Sequence, residues 1–376
     1  MSEGETIGIV GGGQLGRMLT LAAVPLGFSV VVVDPEDGCP AQQAGAEQIV
    51  AGLRDPAALA ELGRRADHVT IEIEHVDAAA LAGLADGGTV VNPFPSTIAL
   101  LQDKLHQKRH LQDNGIAVAP FWDVPAIDDA RALLASQGPL IVKTRRGGFD
   151  GRGNAVVHDD ADLDVAWARF DGADLYAEAL VDFTMELAVM VAIDRNGDHE
   201  LYPVVQTINE RSICLEVHAP APIDEETERR AVDLARAVAG HLEGAGVYGI
   251  EMFVTRGGDV LINEIAPRVH NSGHYTMDAC VTSQFEQHIR AITGLPLGST
   301  AMHGPAAAMI NILGERDGPT KVRGLDEVLS HPRTKVHLYG KSPTKIDRKM
   351  GHINVTADSF TEAAEVARAA RRGLEL

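Results

Sequence analysis

From residue 6 to about residue 92, short apolar runs alternate with helical segments, and this rhythm restricts the fold more than any other feature of the chain. Strands are expected at 6–10, 29–33, 47–50, 68–73 and 89–91, with helices at 14–26, 55–65 and 77–85. Such an alternation builds an open parallel sheet covered by helices. "NPFPS" at 92–96 ends it with two prolines, so a boundary falls near residue 95. Ser96 can then cap a helix running to about Asn114, closed by Gly115.

The texture then changes. "PLIVKTRRGGFDGRGNAVVH" reads as strand, glycine-rich loop, strand, and "ADLYAEALVDFTMELAVMVAID" as strand, short link, strand. A helix and the strand pair "GVYGIEMFVTRGGDVLINEIAP" follow; short strands and an Ala-rich helix close the chain from about residue 305. The expected class is α/β followed by α+β, in three units at 1–95, 96–302 and 303–376.

Charge narrows the function. With 53 acids against 33 bases the formal charge is −20, which repels nucleic acid over most of the surface. Basic clusters are therefore informative. Cys39, Cys214 and Cys280 are odd in number and far apart, which suits a reducing cytosol rather than a disulfide framework or zinc site. The N-terminus has no secretory pattern, and no apolar run reaches the roughly 20 residues of a membrane span.

"GIVGGGQLGRML" at 8–19 fits the spacing of a dinucleotide-binding turn, and Asp34 ends the second strand where an acid would meet a ribose. More telling is the hairpin at 247–266. A tight turn centred on Gly257 and Gly258 pairs Arg256 with Asp259, and counting outward sets Glu251 opposite Glu264. Facing carboxylates are unstable without a cation between them, and Mg²⁺ favours one or two carboxylates completed by phosphates. The alternative is two unconnected surface acids. In "VKTRRGGFDGRG" (142–153) four glycines and three arginines form a basic loop fit to close on phosphate, with Lys143 at its base; otherwise it is a hairpin loop with solvated charges. Glu178 and Glu186 interrupt apolar surroundings and suit adenine and ribose recognition, or else are half-buried acids on strand edges. "NEIAPRVHNSGH" crowds Arg268, His270, Asn271 and His274 beside the acidic pair. "KSPTKIDRKMGH" supplies Lys341, Lys345, Arg348 and Lys349, a second anion site or a solvated charge run.

Taken together, Lys104 in a helix, Lys143 before a glycine-rich loop, Glu178, and Glu251 with Glu264 resemble the ATP-grasp superfamily. "GGGQLGRML", "GGFDGRG", "NEIAPRVHNSGH" and "RKMGH" resemble more narrowly its N5-carboxyaminoimidazole ribonucleotide synthetase family, over essentially the whole chain. The resemblance implies an ATP-grasp fold, with a Rossmann-like domain before it and a small β-rich domain after it. It implies a ligase that converts 5-aminoimidazole ribonucleotide, bicarbonate and ATP into the N5-carboxylated ribonucleotide, ADP and phosphate, by way of carboxyphosphate, in purine synthesis. By motif position Lys104 and Lys143 would meet ATP phosphates under a lid of Gly148, Phe149, Asp150, Gly151, Arg152 and Gly153. Glu178, Ala179, Leu180 and Val181 would hold adenine and Glu186 the ribose. Glu251 and Glu264, with Asn263 alongside, would bind Mg²⁺ or Mn²⁺. Arg268 would hold bicarbonate and carboxyphosphate, with Asp150, His270 and Lys349 serving the second half-reaction. Gln14, Leu15, Glu74, Asn271, Lys341, Arg348 and Lys349 would bind the ribonucleotide. In this family the N-terminal turn binds no NAD but still offers N–H groups to anions. A reference pKa near neutral makes His270 the candidate base.

The resemblance also implies a cytoplasmic homodimer that passes its product to a separate mutase and binds neither nucleic acid nor membrane. Related sequences often read N-I-H-x-x-G where this chain has Asn209 and Ser212. The competing readings are a formate-dependent glycinamide ribonucleotide transformylase, an NAD-dependent oxidoreductase and a non-catalytic nucleotide sensor.

Overall fold

Five parallel strands open the computed structural model, which describes residues 4–148 and 151–376. They lie in the order Glu47–Val50, Ser29–Asp34, Thr6–Val10, His68–Ile71 and Val90–Val91. Ile7, Ile9 and Val10 of the central strand are completely buried, as a parallel sheet covered on both faces requires. The glycine turn leads from this strand into the helix Gln14–Ala23. That helix stops short of the expected residue 26. Pro25 has no N–H to donate, and Val24–Leu26 tightens into a 3₁₀ turn closed by left-handed Gly27. The strand expected to reach residue 73 ends at Ile71.

The single helix expected from Ser96 to Asn114 is two. Pro95–Gln102 begins at Phe94 and Pro95 without a side-chain cap, and Lys104–Asp113 begins afresh at Asp103. The Asp103 carboxylate accepts the N–H groups of Leu105 (3.1 Å) and His106 (3.2 Å). An acid in that position caps a new helix more readily than it continues an old one. Arg145 adds two bonds to the same carboxylate (2.7 and 3.2 Å), and Arg146 a third at 3.3 Å.

Beyond this break stand two sheets. The smaller is antiparallel, ordered Phe121–Asp123, Leu175–Ala179, Leu140–Thr144 and Asn154–Val157. The larger has nine strands. It runs Val260–Ala266, Gly246–Thr255, Phe183–Ile193, Val205–Glu210, Ile213–Ala219, Ala306–Leu313, Lys349–Ala357 and Thr334–Leu338, with His199–Leu201 against the end of Phe183–Ile193. The C-terminal strands thus continue the sheet of the preceding segment, through Ala306–Leu313 paired with Ile213–Ala219.

The hairpin at 246–266 differs from expectation twice, and the differences cancel. Its turn holds three residues, Arg256 to Gly258. Thr255 N–H donates to the Asp259 carbonyl at 2.8 Å, and Gly258 lies in the left-handed region with φ 88°. This longer turn is the next commonest hairpin geometry after the two-residue one. It sets Val254 opposite Val260 and Met252 opposite Ile262, one residue out of the expected register. A bulge at Asn263 then moves the pairing back, so Glu251 faces Glu264.

Asp103→Ala is expected to lose more stability in urea unfolding than Asp103→Asn, by about 1 kcal/mol, because the amide keeps a cap that alanine lacks. Equal losses would show that capping does not fix the helix break.

Candidate active site

The bulge re-aims the strand so that Glu251, Asn263 and Glu264 share one face. Asn263 Nδ2 donates to Glu251 Oε2 at 3.3 Å, and about a third of each carboxylate side chain remains open to the cleft. Lys104 Nζ, delivered by the Asp103 break, lies 2.7 Å from Glu264 Oε2. Burial raises the Glu264 carboxyl, but Lys104 outweighs it and holds the group below the usual range. The charges of Lys104 and Lys349 lower Glu251 less than burial raises it. Burial, with the charges of Glu264 and Glu186, pushes it up to about 7. Among the described residues no cluster of three or more His, Cys, Asp or Glu side chains forms a metal cage. Two carboxylates in an open cleft, one of them pushed toward its protonated form by the lack of a counter-charge large enough to hold it ionised, instead match Mg²⁺ shared with a phosphate ligand.

Beside this pair Glu178 is 2% exposed and bonded from three sides. Lys143 Nζ lies 3.0 Å from Oε1, Lys108 Nζ 3.3 Å from Oε2, and Tyr176 Oη donates to Oε1 at 2.6 Å. Burial opposes ionisation, yet Lys143 and Lys108 win and hold the carboxyl at about 2. The link after it, Ala179 to Val181, is anchored by Ala179 N–H on the Pro120 carbonyl (2.9 Å) and Leu180 N–H on that of Pro139 (3.3 Å). Leu180 is exposed.

Glu186 projects from the neighbouring strand, two residues along from Ala188, which pairs with Glu251. Asn209 Nδ2 donates to its Oε2, partly offsetting the burial that raises the Glu186 carboxyl. The unusual Asn209 thus touches the expected ribose acid. The turn beyond it carries Arg211 (φ 51°) and Ser212 (φ 62°), both left-handed, as a tight primed hairpin requires.

At the base of the glycine-rich loop, Gly148 and Gly153 pack backbone to backbone. A Cβ on Gly153 would stand 2.7 Å from Gly148 Cα. Phe149 and Asp150 lie outside the described residues. Arg145 and Arg146, expected to face phosphate, are turned onto Asp103. The Arg152 carbonyl accepts from Arg169 at 3.1 Å.

Arg268 Nη2 lies 2.8 Å from Glu74 Oε1, while its buried Nε has no hydrogen-bond partner among the described residues. Three residues on, Asn271 is 8% exposed, and neither its Oδ1 nor its Nδ2 has a partner among the described residues. Buried polar atoms of this kind are rare unless something binds them. Lys341 reaches across the fold to Gln14 Oε1, joining the N-terminal turn to the C-terminal basic segment. Arg348 pairs with Glu36 at 3.3 Å. Leu15 is buried in the core beside Met18 and Leu19. Lys349 begins the strand Lys349–Ala357 and its charge acts on both Glu251 and His270.

His270 departs from expectation. Its Nδ1 lies 2.8 Å from Ser272 Oγ and its Nε2 3.5 Å from Glu251 Oε1. Burial, then the charges of Arg268 and Lys349, hold the imidazole at about 3 rather than near neutrality.

The glycine turn departs as well. Glu72, unmarked by the sequence reading, accepts the N–H groups of Gly13 and Gly16, each at 2.6 Å. Asp34 accepts Gly12 N–H at 2.8 Å. A Cβ on Gly11 would come within 2.4 Å of Glu72. The glycines therefore make room for an internal carboxylate, and a dinucleotide pyrophosphate would have to displace it. The available signal was the E-x-E of "IEIEH", at the carboxyl end of a strand next to the turn.

A small antiparallel lobe and a larger sheet close on an acidic pair and two lysines beneath a glycine-rich loop: fold and site define an ATP-grasp enzyme. Family models agree, matching a ribonucleotide synthetase preATP-grasp domain at residues 4–102, an ATP-grasp domain at 109–285 and a phosphoribosylaminoimidazole carboxylase C-terminal domain at 307–366. The chain is similar to N5-carboxyaminoimidazole ribonucleotide synthetase from Thermotoga maritima, with 42% identity, TM-score 0.90 and 99% of both chains covered. It is similar to the Aspergillus clavatus N5-carboxyaminoimidazole synthase solved with ADP and 5-aminoimidazole ribonucleotide, with 35% identity, TM-score 0.91 and 98% of both chains covered. It is 44% identical to phosphoribosylaminoimidazole carboxylase of Ogataea methanolica over 96% of this chain and 68% of that one. The chain belongs to the N5-carboxyaminoimidazole ribonucleotide synthetase family, a family of ATP-grasp ligases.

The Glu178 carboxyl lies below its ordinary value near 4.5, so its ion pairs contribute fully above that pH and are lost as pH falls toward 2. The stability difference between wild type and Glu178→Gln should therefore be level at neutral pH and narrow progressively from about pH 4.5 toward about pH 2, read by thermal melts. A constant difference would show that the carboxylate is not held ionised by its lysines.

Proposed function

We propose that the protein carboxylates 5-aminoimidazole ribonucleotide on its exocyclic amine, using ATP and bicarbonate. The observation that carries this reading is the meeting of two half-sites at Glu251. On one side stand Glu264 with Lys104 and Glu178 with Lys143, suited to a nucleotide. On the other stand Arg268, His270 and the Asn271 amide, unpartnered among the described residues, suited to a small polar substrate.

Bicarbonate is a poor electrophile. Transfer of the ATP γ-phosphoryl to one of its oxygens gives carboxyphosphate and ADP. The amine then attacks the carboxyl carbon, the bond to the phosphate oxygen breaks, and phosphate leaves. Mg²⁺ held by Glu251 and Glu264 would neutralise phosphate charge during the transfer. Lys104 and Lys143 supply further positive charge at the triphosphate, and Arg268 does so at bicarbonate. The glycine-rich loop would exclude water from the labile mixed anhydride.

His270 is neutral in the ligand-free protein and can accept a hydrogen bond from the attacking amine; the negative charge of bound carboxyphosphate, set against Arg268 and Lys349, would raise its basicity so that it takes the amine proton as phosphate leaves. Lys341 and Gln14 frame the ribonucleotide pocket, where Glu72 already fills the glycine turn. The product carbamate readily loses CO₂, so a reaction that moves its carboxylate onto carbon should follow at once, in keeping with the hand-over to a mutase. The homodimer is proposed on the resemblance, and the cytoplasmic location on the three scattered free cysteines.

ADP release should need bicarbonate and Mg²⁺, rise further with 5-aminoimidazole ribonucleotide, and stop with chelator. Activity with formate and glycinamide ribonucleotide in their place would assign the transformylase reaction instead. His270→Asn should depress carboxylation at least about tenfold more than bicarbonate-dependent ATPase, in the range of a general acid–base contribution. Equal loss of both would remove His270 from the second half-reaction.

A further inference from the structure

Nothing in the sequence around Lys108 separates it from the solvated bases of its helix, yet in the fold it is 1% exposed. Its ammonium is held twice, at 3.3 Å from Glu178 Oε2 and by donation to the Ile262 carbonyl at 3.2 Å. Ile262 sits on the strand that carries Glu264. Lys143 occupies the other Glu178 oxygen. One buried carboxylate therefore holds two ammonium groups where one would neutralise it. Burying an ammonium is costly, and an apolar side chain of similar volume would usually serve stability as well or better. The second cation calls for a reason.

The two lysines differ in how they are held. Lys108 rises from within the helix Lys104–Asp113, one turn beyond Lys104 on the same face, and is tied to a second element. Lys143 stands near the end of Leu140–Thr144, where the strand runs into the glycine-rich loop. Taking Lys143 as a phosphate ligand, as proposed above, we infer that Lys108 is the resident counterion of Glu178. It is a positioning residue that lets Lys143 turn to the nucleotide phosphates while Glu178 stays ionised to receive the adenine amine. Without Lys108, an arriving triphosphate and Glu178 would compete for one ammonium group. Either the phosphates lose Lys143, or a carboxylate is left buried and unpaired, which is strongly unfavourable. With Lys108 in place the exchange gives up one hydrogen bond and no charge balance.

The test is equilibrium binding of ATP and of adenosine, which lacks phosphates, to wild type, Lys108→Met, Glu178→Gln and the double variant. Lys108→Met should weaken ATP at least about tenfold, the size of a charge-assisted hydrogen bond, and adenosine much less. On the Glu178→Gln background the same change should leave ATP affinity nearly unaltered, because no carboxylate then competes for Lys143. Equal weakening of ATP and adenosine overturns the inference, as does an undiminished loss on the Glu178→Gln background. If Lys108→Met does not fold, the comparison of Glu178→Gln with the double variant decides by the same criterion. Unchanged ATP affinity in both Lys143→Met and Glu178→Gln would refute the nucleotide-site reading beneath it, a different failure from the loss of Lys108's role alone.

Discussion

Glu251 and Glu264 stand opposite one another on adjoining strands, where like charges oppose pairing. The polar chemistry around them is organised by that repulsion. Glu264 is compensated by Lys104, and Lys104 is where it is because Asp103 stops one helix and starts another. Asp103 in turn is held by Arg145 and Arg146, which lead into the glycine-rich loop. The base of the lid and the acidic pair are thus joined by ion pairs on the adjacent residues Asp103 and Lys104. Burial and the charges of Glu264 and Glu186 outweigh Lys104 and Lys349 at Glu251, which stands high in pKa, with His270 3.5 Å from its Oε1. That asymmetry fits a site whose charge balance is completed by a cation and by what the cation carries.

The N-terminal turn shows how one backbone geometry can serve a different end. Its helix N-terminus attracts negative charge as any other does. Here the charge is supplied from inside, by Glu72, with Asp34 on the adjoining N–H. Dinucleotide spacing survives because close approach is still needed, but the partner approaching is a side chain.

Much of this was legible in the sequence. The parallel sheet followed from apolar alternation, and Lys104, Lys143, Glu178, Glu251 and Glu264 stood out as charges in apolar or glycine-rich settings. The facing of Glu251 and Glu264 was expected for a partly mistaken reason, since a longer turn and a bulge each shift register by one residue. Local pattern cannot report such cancelling irregularities, because both leave the strand alternation nearly intact. Asp103, Lys108 and Glu72 were missed, and Asn209 was noted only as a departure from related sequences, without its bond to Glu186. Each acts on a residue far along the chain, and each looks like an ordinary surface polar residue until tertiary packing buries it or turns it inward. His270 was placed by motif but not in its electrostatics, since its depressed pKa arises from burial together with Arg268 and Lys349.

The strand Ala306–Leu313 hydrogen-bonds along Ile213–Ala219, so the last segment extends the sheet that carries Glu186, Glu251 and Glu264. A chain cut ahead of it would uncover the backbone of Ile213–Ala219 as a naked edge, rich in β-branched and apolar residues and eager to pair with another copy. The carboxyl-terminal strands therefore guard against self-association as well as carrying Lys341 and Lys349, and shortened forms of this enzyme would aggregate before they merely lost a substrate.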